Sequence, residues 1–578
     1  MWIQTETLMK QLGNPGRYQV VIFFLLAFNY NSITFNHLVM AFYGSTPSHF
    51  CINPALQPPQ SPSEQSSNQQ SWVADNRYSV ANRTITSVKY DQCGSVYYLK
   101  GGANVSVDCT TDVTSEWVYM KNSRESTIVT EWDLVCDSSF LAKVATTVYF
   151  CGVMVGGLVF GILADKLGRK PVMLITLYVP ILIGIGISFA NSYHLFLILR
   201  FFQGAFMQGL QTSTFVLAME LFLPQYRGVA GAVLELCWGI NVVTLAGVAY
   251  LFQSWRYIQL AITLPSLLTL PYFWLIPESP RWLLTRHRFK EAEKWISKMT
   301  KYNKLEYPSQ MMEDIKLHLD KSEATSARQY TFLDLVATPR IRTRSFVLFY
   351  LWFAVAVGYY GLSFSVTSLP GNKYFNFATG GSVELVAYIL VVIIIQCFGR
   401  RRSLAAFFMV GALSCITAGI LSFFSEQGSM MSQFSTGFAV FGKFGMGGVF
   451  SLTFLYTSEL YPTVIRNIGM GSCAFWARFG GVVAPLVLML GDVTHKSISV
   501  VVFGSITLIA GFMTLLLPET LGQKLPDTIG DTESLRNYRH DQEEDVALKQ
   551  ALAPQGDEVI NMTDKLRTDV SVHDTTKH

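Results

Sequence analysis

Two short runs in the chain carry the same charges at the same spacing. Glu220, Pro224 and Arg227 form the first; Glu459, Pro462 and Arg466 form the second, with seven residues from acid to base in each. The second run leads into an apolar stretch ending at Pro485, with one arginine, Arg478, in its middle. An arginine in an apolar span costs about 2.5–3.5 kcal/mol at the bilayer centre, so it faces a bundle interior or a water-filled path. Opposite charges at helix ends can lock one side of a membrane protein and release it. A buried arginine can take an anionic group.

Other polar residues also sit inside apolar runs. Glu384 has Tyr388 one turn further on the same face. Glu235, Lys443 and Arg200 lie in three more runs, and Gln208, Gln211 and Thr212 share a face beyond Arg200. The first run carries Asn29, Asn31, Asn36 and His37. Trp352, Tyr359, Tyr360, Phe364, Phe475 and Trp476 offer aromatic faces, each adding about 0.5–2 kcal/mol to a bound cation. Plainer readings stand beside these. The aromatics can be packing, His37 a hydrogen-bonded histidine, and Glu235 a structural partner of Lys443 or Arg200. Arg478 and Glu384 lie deepest in their spans and are the leading candidates for substrate contact. Tyr388, Gln208, Gln211, Tyr359, Trp352, Glu235 and Lys443 complete the candidate site.

These residues need membrane-spanning elements to position them. Half of the 578 residues are hydrophobic and only 15% are charged, against about 25% charged in soluble proteins. The apolar residues cluster in runs of about twenty, enough to cross a hydrocarbon core about 30 Å thick. Twelve spans are expected, near 18–42, 141–164, 171–190, 194–222, 229–252, 257–276, 346–368, 375–397, 403–424, 433–460, 467–490 and 499–517. The pattern predicts an all-α membrane protein with twelve transmembrane helices in two six-helix bundles. Its parts are a short N-terminus (1–17), an N-terminal bundle (18–276), a basic loop (277–345), a C-terminal bundle (346–520) and a disordered tail (521–578). No cleavable leader is expected, because the first run is too long and lacks a small-residue cleavage site.

Lysine and arginine set the orientation. Lys166, Arg169 and Lys170 follow span two, and Arg400, Arg401 and Arg402 follow span eight. These loops, both termini and 277–345 are therefore expected in the cytoplasm, and 43–140 outside. That outer loop holds two glycosylation sequons, at Asn82 and Asn104, and four cysteines, Cys51, Cys93, Cys109 and Cys136. An even count in an oxidising compartment predicts two disulfides, with three pairings open. The other cysteines fall in spans and read as packing residues. A sequon at Asn561 is expected to stay unmodified on the cytoplasmic side.

The two halves repeat. Gly161-Ile-Leu-Ala-Asp-Lys-Leu-Gly-Arg-Lys170 after span two matches Cys397-Phe-Gly-Arg-Arg401 after span eight, 231 residues on when Gly168 is aligned with Gly399. The Glu…Arg run recurs after 239 residues, and Pro277-Glu278 recurs as Pro518-Glu519 after 241. A same-orientation repeat of six spans is the pattern of transporters whose bundles rock about a central site. Asp165 and Arg169 with Glu220, Arg227, Glu459 and Arg466 are the candidate gating charges, surface ion pairs being the plain alternative. Gly152, Gly156, Gly157 and Gly161 are expected to let a neighbouring helix pack closely.

Three motifs together carry a resemblance: Ser126-Thr-Ile-Val-Thr-Glu-Trp-Asp-Leu-Val-Cys136, Pro277-Glu-Ser-Pro-Arg-Trp-Leu-Leu284 and Glu459-Leu-Tyr-Pro-Thr-Val-Ile-Arg-Asn467. The chain, over roughly residues 10–530, resembles the organic cation, carnitine and organic anion transporters of the major facilitator superfamily (solute carrier family 22). It departs from the repeated motif at Gln396, which takes the place of the second acidic residue. That exchange is expected to weaken the second lock without removing it. The resemblance implies polyspecific transport of small organic ions at the plasma membrane, by alternating access and without ATP. In the cation-preferring branch an acidic residue occupies the place of Arg478, and anion and carnitine-type members have arginine there. The anion branch often has lysine at the place of Tyr388. Glu384 with Tyr388 resembles the carnitine and zwitterion branch, with Arg478 matched to a carboxylate and Glu384 to a quaternary ammonium. An organic anion or dicarboxylate exchanger is the alternative, using Arg478 and Lys443. Sodium coupling, exchange and facilitated diffusion all stay open.

Rival classes lack their residues. No Gly-x4-Gly-Lys-Ser/Thr, His-Glu-x-x-His or Cys-x-x-Cys occurs, which argues against nucleotide-driven or metal-dependent chemistry. The repeat and the paired end charges argue against a receptor or channel. No cofactor, metal or nucleic acid is expected. The expected partners are a small organic ion, the lipid bilayer and either sodium or a counter-substrate.

Overall fold

The computed structural model describes residues 2–13, 15–52, 71–73, 79–80, 83–90, 93–99, 104–108, 116–119, 125–322, 330–425, 429–523, 526 and 528–530. Span one is Arg17–Leu38 continued by Met40–Tyr43. Spans two to five are Phe140–Leu167, Arg169–Ser188, Tyr193–Glu220 and Pro224–Phe252. Span six is broken: helix Trp255–Thr263, a 3-10 stretch Leu264–Thr269 and helix Tyr272–Leu275. Pro265 and Pro271 account for the break, since neither can donate a backbone hydrogen bond. Spans seven to twelve are Pro339–Ser365, Lys373–Phe398, Arg400–Phe424, Met430–Leu460, Arg466–Val493 and Lys496–Thr514. Span seven starts at Pro339, before the expected 346, because its first turns lie outside the apolar run.

Eleven of these elements are long and apolar enough to cross a membrane. Tyr193–Glu220 is the twelfth; Arg200, Gln203, Gln208 and Gln211 lower its hydropathy, and Arg200, Gln203 and Gln208 are buried against other helices. The twelve-helix expectation therefore stands. The halves meet along spans two and eleven and along spans five and eight, which are equivalent under the six-span repeat. Gly481 of span eleven leaves room for the Phe150 ring of span two. Gly381 of span eight faces Val242 and Val243 of span five, and Gly239 of span five faces Leu385. The span-two glycines divide in role. Gly152 and Gly156 lie against the backbone of Phe201 and Ala205 in span four, where any side chain would overlap it, while Gly157 faces Arg478 and Gly161 faces open space.

Two regions add to the all-α expectation. The loop after span one forms antiparallel strands, His49–Ile52 with Glu116–Tyr119, and a sheet ordered Ser71–Val73, Arg83–Tyr90, Gly94–Leu99, Asn104–Asp108. Runs such as Gly94-Ser-Val-Tyr-Tyr-Leu99 carry the β-branched and aromatic residues that suit a pleated surface. On the opposite face, helices Trp2–Gln11, Pro280–Thr285, Phe289–Asn303 and Ser309–Ser322 form a layer below the N-terminal bundle. Leu8, Met9, Leu12, Ile296, Met299, Met312 and Ile315 share one apolar cluster there.

Candidate functional site

Arg478 is held by its own helix, its Nη1 donating to the Ala474 carbonyl at 2.7 Å. Gly157 of span two opens a space that Gln208 of span four and the Arg478 side chain share. Protein surrounds Arg478 on every side, yet the side chain keeps accessible surface, as a group lining an internal cleft does. Glu235 and Tyr360 share this character. Glu235 bonds to Ser451 of span ten and lies within electrostatic reach of Tyr30 and Tyr388. Tyr360 and His37 lie within reach of Arg478. Among the described residues no carboxylate lies within ion-pair distance of Arg478.

The second leading candidate has a different setting. Glu384 pairs with Lys443 at 3.0 Å, and both side chains are fully buried. The Tyr359 hydroxyl donates to Glu384 at 3.1 Å and accepts from Trp238 Nε1 at 2.7 Å. Gly447 packs against Glu384 and Gly380 against Lys443, so small residues make room for the pair. Lys443 also lies 5.2 Å from the Phe377 ring centre. Desolvating two charges costs several kcal/mol per ion, which only close pairing and added hydrogen bonds offset. Lys443 thus has Glu384 as its partner, where the sequence reading offered Glu235. Glu384 is neutralised inside the C-terminal bundle, where that reading had it meeting an ammonium group directly.

The remaining candidates fall into place around these two. Gln208 donates to Thr212 at 3.0 Å, and Gln211 is half-buried. Tyr388 is buried against Gly239 where spans five and eight meet. Trp352 donates its indole N–H to Thr457 at 2.9 Å and packs on Phe454, so it is a wall of the C-terminal bundle. Tyr360 stacks on Phe364 and meets Phe150 across the halves. Trp476 is exposed and stacks on Phe349, away from the cleft. His37 contacts the Ile33 carbonyl at 2.9 Å and the Tyr149 hydroxyl at 3.1 Å, a hydrogen-bonded histidine. Arg200 lies over the Tyr149 ring and donates to Gln203 at 2.8 Å.

The gating candidates form two corners on the face opposite the loop. In the first, Arg169 meets Asp165 at 3.0 Å and Glu220 at 3.4 Å. Glu278 accepts from the backbone N–H groups of Arg169, Lys170 and Ser279 at 2.8–3.2 Å, capping the start of span three. Burial pushes the Glu278 carboxyl above the ordinary carboxylate value, and those N–H groups and Arg169 pull it back. In the second corner, Arg400 meets Glu459 at 3.3 Å. Glu519 caps span nine through the N–H groups of Arg400 and Arg401 at 2.8 and 3.2 Å. Gly168 and Gly399 have φ of 111° and 82°, and a side chain at either would collide with the capping glutamate. The sequence reading set Glu220 against Arg227 and Glu459 against Arg466. The structure brings each glutamate to the arginine at the start of span three or nine. Arg227 donates to the Met219 and Phe222 carbonyls and Arg466 to the Tyr461 carbonyl.

The 126–136 motif is a dock for the loop. Thr127 and Thr130 cap each other, and Ser126 pairs with the 253–255 backbone. Glu131 accepts from Trp255 Nε1 at 2.6 Å and pairs with Arg256, which also donates to the Ser188 and Ala190 carbonyls. Sequence reasoning missed Glu131, Trp255 and Arg256; the one available signal was a lone glutamate, Glu131, beside Trp132 and a short loop with a lone arginine, Arg256. Cys93 is bonded to Cys136, and Cys51 is also disulfide-bonded. Cys109 and Asn82 lie outside the described residues, and Asn104 begins a strand. On this same face Lys143 pairs with Asp492, and Lys373 with Glu125, each pair joining the two halves.

Two six-helix halves, repeated corners and a charged cleft between them define a transporter of the major facilitator type, not an enzyme. The xylose transporter XylE from E. coli, in an inward open conformation, has the same fold with a TM-score of 0.56 at 18% identity, over 70% of this chain and 92% of that one. Residues 25–528 match the sugar (and other) transporter family. The chain is 32% identical to an organic cation transporter protein of Drosophila melanogaster, over 92% of this chain and 94% of that protein. It is 32% identical to the organic cation/carnitine transporter 2 of Rattus norvegicus, over 90% and 92%. The chain belongs to the organic cation, carnitine and organic anion transporter family, within the sugar (and other) transporters.

Proposed function

We propose that this chain carries small organic cations and zwitterions such as carnitine across the plasma membrane, by alternating access, with both termini in the cytoplasm. The observation that carries the reading is the cleft. Arg478 stands there without a carboxylate partner among the described residues, and Glu235, also accessible, lies on the facing half. With Glu384 matched to Lys443 and Arg200 fully buried against Tyr149 and Gln203, these two are the accessible charges of the cleft among the described residues. Arg478 takes the carboxylate, and Glu235 with the rings of Tyr360 and Tyr388 takes the ammonium. Binding neutralises part of the cleft charge and lowers the cost of closing over it. The relative named for cation and carnitine transport supports the same substrate class.

The test is uptake in cells expressing the chain, comparing labelled carnitine, tetraethylammonium and para-aminohippurate, each with and without sodium. Saturable carnitine uptake is expected, falling at least about tenfold in Arg478→Ala, as for an unmade charged contact. Uptake of para-aminohippurate alone would replace this reading with the anion-exchange alternative. The sodium arm distinguishes coupled uptake from exchange or facilitated diffusion.

A further inference from the structure

The helix Phe289–Asn303 carries four lysines whose placement suits a second kind of ligand. Lys290, Lys294, Lys298 and Lys301 are all exposed. At 100° per residue they fall within an arc of about 80°. Ala292, Ile296, Met299 and Thr300 form the buried face, packed into the layer below the N-terminal bundle. The acidic residues of this helix are already matched: Glu291 pairs with Arg288 and Glu293 with Lys316. Among the described residues the four lysines pair with no carboxylate. The stripe is therefore a line of uncompensated positive charge.

Two aromatic residues fix where this line sits. Trp295 lies beneath Lys170 in the first turn of span three, with 5.6 Å from Nζ to the ring centre. Lys170 Nζ in turn donates to the Phe273 carbonyl at the end of span six. Seven residues on, Tyr302 meets Tyr18 in the first turn of span one, ring centres 5.6 Å apart. The helix thus runs along the ends of spans one, three and six. Trp274 and Phe273, at the same level, are exposed, as aromatic residues at a membrane interface are. Lys298 reaches over Trp295 at 4.9 Å, so the lysine stripe borders this aromatic flank.

The geometry points to a docking surface for anionic phospholipid headgroups of the adjoining leaflet along Lys290, Lys294, Lys298 and Lys301. A basic helix lying in the interface, with Trp and Tyr beside its charged face, binds such headgroups by charge and by seating its aromatic rings. The lipid holds the helix layer against the span ends, and through it the starts of spans one and three.

The test uses the full chain in nanodiscs of phosphatidylcholine alone or with added phosphatidylserine, read by amide hydrogen exchange over 289–303. Phosphatidylserine is expected to slow exchange there by about fivefold. The variant K290Q/K294Q/K298Q/K301Q loses this difference while keeping the wild-type melting temperature. Equal exchange of the wild-type chain in the two lipids overturns the proposal, and so does protection that survives in the variant. Inorganic phosphate added to phosphatidylcholine nanodiscs is the third arm; equal protection there would assign the stripe to soluble phosphate and overturn the lipid site.

Discussion

The two corners share one plan and differ at one acidic residue. The first has Asp165, Gly168, Arg169, Glu220 and Glu278; the second has Gln396, Gly399, Arg400, Glu459 and Glu519. Both keep the glycine in a left-handed conformation, the glutamate that caps the next span and the arginine–glutamate pair. The member replaced is Asp165, whose side chain is 73% exposed, whereas Glu220 and Glu459 are 16% and 14% exposed. Exposure accounts for which member differs between the corners. An ion pair in water is worth about 0–1 kcal/mol, while an acceptor for buried N–H groups leaves orphans when removed. All these contacts tie elements of one half to one another.

That contrast can be broken by substitution. The largest loss is expected from Glu278→Ala and Glu519→Ala, each costing about 2–4 kcal/mol through unpaired N–H groups at a helix start. Melting in detergent should fall by similar amounts for the two; a harmless Glu519→Ala would end the equivalence of the corners. A smaller loss, about 1–2 kcal/mol, is expected from Glu220→Gln and Glu459→Gln. Here the second should be worse, because Arg169 keeps Asp165 and Arg400 has Gln396 in that place. The smallest effect belongs to Asp165→Gln, which makes the first corner like the second. Stability should change by less than about 1 kcal/mol, with uptake within about twofold of wild type; a large drop in either would restore Asp165 to the mechanism.

Much of this plan was legible in the sequence. Apolar runs located the twelve spans, because a spanning helix must satisfy its own backbone and cannot hide its length. The repeat located both corners. Partners were harder to read. Glu384 and Lys443 are 59 residues apart on different spans, and nothing in their spacing says that their faces converge. Glu220 has Arg227 seven residues away but meets Arg169, because the chain turns at Pro224 while the start of span three comes alongside. The helix layer on the opposite face reads in the sequence as a short N-terminus and a basic loop, since its apolar residues are spaced for one buried face and never form a run. Glu131, Trp255 and Arg256 were missed for the same reason as Glu384–Lys443: they meet only when the loop folds back.

The loop face carries the pairs that join the halves, Lys143 with Asp492 and Lys373 with Glu125, and their side chains are 17–26% exposed. Such partly wet charges feel dissolved ions, whose screening length is about 8 Å at physiological concentration. The corners bind within a half, so under the proposed alternating access a rocking of the halves leaves them intact. The clasp on the loop face joins the halves, so the same rocking has to break it. On the proposed mechanism the resting population of the carrier is expected to depend on the medium: dilute buffer should favour the state closed on the loop side, and concentrated salt should release it.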